Sequence, residues 1–72
     1  MADLKSKIKN LTDRDILVVQ LLADDYRPAY MVNKIPILRK TIEKNIADLR
    51  LTFGCKTVGG LVALFYRNKL IK

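Results

Sequence analysis

Apolar residues recur along this chain at helical spacing, and the polar residues between them punctuate four helices. The clearest stripe is Ile42, Ile46, Leu49 and Phe53, which fall at i, i+4, i+7 and i+11 on one face of a helix. It predicts a helix from about Leu38 to Phe53, followed by Gly54 where a left-handed residue commonly ends helices. An earlier helix opens in Leu11-Thr12-Asp13-Arg14-Asp15, where Thr12 can cap the free amides and Asp15, three residues on, completes a capping box. Asp13 and Asp15 also suit the positive end of the helix dipole. Its body (Ile16, Leu17, Val18, Val19, Leu21, Leu22) is β-branched enough for a strand. The cap and a length of about twelve residues favour a helix that stops near Asp24-Asp25. A short helix fits residues 28–34, with Pro28 at its first position and Pro36 forbidding continuation. The last runs from a Thr57 cap to about Lys69, its first turn weakened at Gly59 and Gly60 by up to about 1 kcal/mol each relative to alanine. No stretch alternates at period two for long enough to make a strand, so the fold class expected is all-α.

At 72 residues the chain has room for one thin core, since a domain this small buries only about 60% of the surface its unfolded chain exposes. Half of the residues are hydrophobic, which excludes a disordered chain. There is no histidine, and Cys55 is the single cysteine. A zinc site, a Ser-His-Asp triad, a Cys-His pair and a disulfide framework are thereby excluded. Asp24-Asp25 has no further ligand to make a metal pair, so no metal or cofactor is expected. Nothing resembles an acid/base pair, a nucleophile elbow or a phosphate loop, and an enzyme is not expected. The unpaired thiol suggests a reducing, cytoplasmic setting. Residues 1–10 lack the apolar stretch of a secretory signal, and the longest apolar run, Ile16–Val19, is far short of the roughly 20 residues a membrane span needs.

Charge changes the picture more. The net charge is +7, and it is unevenly spread. Lys5, Lys7 and Lys9 face only Asp3 in the first ten residues, whereas Arg14 is outnumbered by Asp13, Asp15, Asp24 and Asp25 in the next stretch. Beyond residue 27 the bases dominate, and Lys56, Arg67, Lys69 and Lys72 have no acid among them. Such asymmetry points to a polyanion meeting the C-terminal two thirds, against the plainer reading of a solvated basic face. On the helix over 38–53, a projection at 100° per residue leaves Lys40, Lys44, Ala47 and Leu51 outward, with Arg39, Glu43 and Arg50 on one flank and Thr41 and Asp48 on the other. Long cations around a small residue suit a helix entering a major groove, where Ala47 permits close approach. Short helix, Pro-containing turn and longer basic helix make a helix-turn-helix pattern.

From Leu11 to Ile71 the chain resembles the LuxR/GerE-type helix-turn-helix domain, without a gap. The resemblance is carried by Leu11-Thr12, Arg14-Asp15, Leu21-Leu22-Ala23, Ile37, Lys40-Thr41-Ile42, Asn45, Leu49, Phe53-Gly54, Val62 and Leu70-Ile71. It implies a four-helix DNA-binding unit over residues 11–72 behind a basic arm over 1–10, with the third helix in the major groove. In that family the base-facing positions match Glu43, Lys44 and Ala47. Backbone contacts match Lys40 and Thr41, with Arg39 beside them and Lys56-Thr57 further on. The fourth helix of such domains commonly forms a two-fold dimer contact. Here Leu61, Val62, Phe65 and Tyr66 offer more apolar surface than one core needs, so a homodimer is expected.

The expectation is a small bacterial, phage or plasmid transcription regulator binding double-stranded DNA, with no membrane partner. Where the family has a Ser or Thr cap, a basic residue and a polar second helix, this chain has Leu38, Glu43 and the stretch around Pro28. These favour the alternative, an interaction module that keeps the fold and acts on another regulator or on RNA polymerase. Glu43 could accept from cytosine N4, or simply pair with Arg39 or Arg50. Arg14 reads as a structural partner of Asp13 or Asp15, Cys55 as a small buried hydrophobe, and Tyr26, Tyr30 and Tyr66 as partly buried anchors. The lysine arm is expected to add phosphate or minor-groove contacts.

Overall fold

A computed structural model describes residues 4–72, which form five α-helices and, among the described residues, no strand. They are α1 (Leu4–Lys9), α2 (Asp13–Ala23), α3 (Pro28–Met31), α4 (Arg39–Phe53) and α5 (Val58–Arg67). Four correspond to the helices read from punctuation. The fifth, α1, is a correction: the basic arm is helical from Leu4, packs against α4 and sends Ile8 toward the core. Asp3, counted in the arm's charge, lies outside the described residues. The short helix closes at Met31 and continues to Lys34 only as turns, and α5 stops two residues before Lys69.

The capping box forms as written in the sequence. Thr12 Oγ1 accepts from the Asp15 amide at 3.1 Å, and Asp15 Oδ2 accepts from the Thr12 amide at 3.0 Å. Thr57 caps α5 through the Gly60 amide at 3.0 Å. Leu38 precedes α4 without any side-chain cap.

Three helices end alike. Asp25, Gly54 and Lys69 have φ of 69°, 67° and 58°, and each is followed by an amide that reaches five residues back: Tyr26 to Leu21, Cys55 to Arg50, Leu70 to Phe65. This Schellman geometry satisfies carbonyls the helix leaves free. Only Gly54 adopts it without a Cβ penalty. Lys69→Gly should therefore raise stability, by about 0.5–1 kcal/mol after the unfolded chain's added freedom is subtracted. Thermal denaturation checks it, and a lower midpoint contradicts the account.

The core lies in two clusters on either side of α2. Val18 and Leu21 join Met31, Ile35, Ile42 and Ile46; Val19 joins Leu49, Phe53, Leu61, Phe65 and Ile71. Phe53 and Phe65 meet edge to face at 5.4 Å between centroids. The whole apolar stripe of α4 is consumed in this packing, so its opposite face is necessarily the solvent face. The chain end is tied down as well: Gln20 bonds both the amide and the carbonyl of Lys72, at 2.9 and 3.2 Å.

Candidate nucleic-acid interface

Burial of Ile42, Ile46, Leu49 and Phe53 turns Lys40, Lys44, Ala47 and Leu51 to solvent along one line of α4. Thr41, Glu43 and Asp48 flank that line and are also exposed. The surface expected to carry base-facing and backbone-facing residues is thus assembled on a single rigid helix. Arg39 and Glu43 form an ion pair at 3.1 Å, one helical turn apart, with both side chains about half exposed. A pair this exposed adds little stability, and it holds the Glu43 carboxylate aside from the lysine line. Arg50 takes no part in that pair: half-buried, it donates to the Lys56 carbonyl and closes the link between α4 and α5. Lys56 stays exposed beside it, while the Thr57 hydroxyl is engaged as a cap.

Beside the apolar packing, α4 is joined to α2 by a contact with no local signature. Asn45 Nδ2 donates to Asp15 Oδ1 at 2.8 Å, across thirty positions of sequence, while its own Oδ1 is buried without a partner. Partial burial is the largest single influence on the Asp15 carboxyl and raises its pKa. The Thr12 amide, the Asn45 amide, the Thr12 hydroxyl and the nearby Arg14 charge together outweigh it and hold the group below the ordinary value of 3.8. A carboxyl more acidic in the folded chain than in the unfolded one stabilises the fold at neutral pH, and that contribution is lost as pH falls through the folded value. Unfolding free energy should therefore decline with acid below pH 3.8, and Asp15→Asn should flatten that decline. Identical acid profiles for both proteins would contradict the assignment.

The expected dimer seam is corrected by the packing. Leu61 and Phe65 are 0% exposed, being the centre of the second core cluster. They cannot also meet another protein. What α5 presents outward is Val58, Val62 and Tyr66, at i, i+4 and i+8; Val62 is half-buried and Tyr66 is 64% exposed. Tyr66 and Tyr30 are thus more open than partly buried anchors, whereas Tyr26 is half-buried with the Lys34 ammonium over its ring at 5.6 Å. Cys55 is half-buried at the edge of the core. Arg14 makes no ion pair with Asp13 or Asp15; its side chain instead borders a shallow hollow shared with Thr41, Lys44, Asn45 and Asp48. Neighbouring positions on a helix do not face one another, so Arg14 acts on Asp15 through its charge without closing an ion pair.

Among the described residues no three His, Cys, Asp or Glu side chains gather into a metal-binding group, and no helix is long and apolar enough to cross a membrane. Comparison with family models, with curated proteins and with solved structures finds no match to this chain.

Proposed function

We propose that this chain is a small transcription regulator of LuxR/GerE-type helix-turn-helix architecture, with α4 as the helix that enters the major groove of duplex DNA. One observation carries the reading: Lys40, Lys44 and Ala47 stand bare on a line of α4 whose other side is locked into the core. Lys40, Thr41 and Arg39 contact the phosphate backbone, with Lys56 and Thr57 adding phosphate contacts at the start of α5. Lys44 and Ala47 meet base edges, and Glu43 accepts from cytosine when its pair with Arg39 opens. The net charge of +7 supplies the long-range attraction. Two copies associate through Val58, Val62 and Tyr66 of α5, which sets the spacing of paired half-sites. Lys5, Lys7 and Lys9 lie on α1, which packs against α4, and they extend the same cationic surface.

A second reading has its own observation. Leu38 is 75% and Leu51 81% exposed, one just before α4 and the other on its outward line. Bare leucines at both ends suit an apolar partner, such as another regulator or RNA polymerase, better than phosphate. Electrophoretic mobility of random duplex DNA at low salt separates the two. Retardation that fades as salt rises supports DNA binding. No retardation at any protein concentration, with unchanged mobility of the duplex, removes it in favour of the protein partner.

A further inference from the structure

We propose that Arg14, in the first turn of α2, is a phosphate-binding residue that acts with Thr41 across the hollow between α2 and α4. The proposal rests on the DNA-binding reading and adds a contact made from a second helix. The hollow has a volume of about 270 Å³ and is bordered by Arg14 on one side and by Thr41, Lys44, Asn45 and Asp48 of α4 on the other. Its two walls do not slide freely, because the Asn45–Asp15 hydrogen bond joins the residue next to Arg14 to the middle of α4. Arg14 is exposed, and among the described residues no carboxylate lies within ion-pair distance of it; its charge reaches Asp15 only through the field, so its guanidinium is available to an incoming anion.

The chemistry of the border fits a phosphodiester. A guanidinium offers a planar fork for its two unesterified oxygens, and the Thr41 hydroxyl adds a neutral donor. The place fits too. A helix lying in a major groove has sugar-phosphate strands along its sides, so a cation from the helix beside it meets backbone and carries no base information. Asp48 works against this arrangement: its carboxylate borders the same hollow and repels a phosphate there. Removing Asp48's charge should therefore act opposite to removing Arg14's.

The test is equilibrium binding of the full chain to labelled duplexes, one selected and one random, between about 50 and 200 mM salt. Arg14→Gln should weaken both complexes by the same factor and reduce the slope of log K against log salt by about 0.9, the share of one phosphate. Arg14→Lys should keep that slope, and Asp48→Asn should tighten both complexes. Thermal midpoints near that of the wild type show that the variants fold. Unchanged affinity and slope in Arg14→Gln, or a changed preference between the duplexes, overturns this proposal while the DNA-binding reading stands. A wild-type chain that binds neither duplex overturns both.

Discussion

Phe65→Ala is expected to remove a large share of the protein's stability. The side chain is 0% exposed, meets Phe53 edge to face, and closes the cluster that joins α2, α4 and α5. Truncation of such a residue costs about 3–5 kcal/mol through lost burial and the cavity left behind. A 72-residue domain has about 4–11 kcal/mol of stability at typical values per residue. The substitution therefore removes a large share of the total, and the first cluster does not include α5 to hold it in place. Denaturant titration should give a strongly lowered midpoint that does not depend on protein concentration. This also discriminates between two roles for α5. Were Phe65 a residue of the dimer seam, the variant would remain a folded monomer of nearly normal stability. Tyr66→Ala, on the outward face, should do the reverse: keep the fold and weaken association.

Lys44→Ala should weaken binding to a preferred DNA sequence by about 1–3 kcal/mol, roughly 5- to 150-fold. Lys44 stands on the outward line of α4, one turn beyond Lys40, where a long cation can reach a guanine edge. Loss of a base contact should relax discrimination at one position of the site as well as lower affinity. Lys40→Ala, as a phosphate contact, should weaken binding evenly across sequences and reduce the salt slope. Selection of bound duplexes from a random pool distinguishes them. Equal sequence preference in wild type and Lys44→Ala would remove Lys44 from base recognition. Both side chains are exposed, so neither substitution should alter stability much.

The helix boundaries were legible because their signals are local. Thr12 with Asp15, Gly54 and Thr57 act within a few residues of themselves, and the stripe from Ile42 to Phe53 leaves one orientation for α4. Three features were not legible, for different reasons. In α1 the segment LKSKIK has only Leu4 and Ile8 as a spaced apolar pair, and six residues do not make a stable helix alone. Its structure depends on the place Ile8 finds in the second cluster. In α5 the apolar residues lie almost all round the helix, so periodicity could not tell that Leu61 and Phe65 face inward while Tyr66 faces outward. Asp25 and Lys69 took the left-handed position that sequence reasoning reserves for glycine, because the Schellman bonds outweigh their local preference.

The candidate site divides the same way. Lys40, Lys44 and Ala47 follow from the buried stripe by geometry alone. The Arg39–Glu43 pair was one of the alternatives that helical spacing allows. Arg14 was hidden by its neighbours, since sequence proximity to Asp13 and Asp15 suggested ion pairs that the helix does not close. The Asn45–Asp15 bond, which joins α2 to α4, spans elements far apart in sequence.

The most direct test of the central claim is to follow backbone amide resonances of the protein as short duplex DNA is added at low salt. The account predicts that the largest changes trace Lys40, Thr41, Lys44, Ala47 and Asp48 along α4, reach Arg14, and disappear at high salt. Changes confined to α3 or α5, or none in the presence of excess duplex, would contradict it.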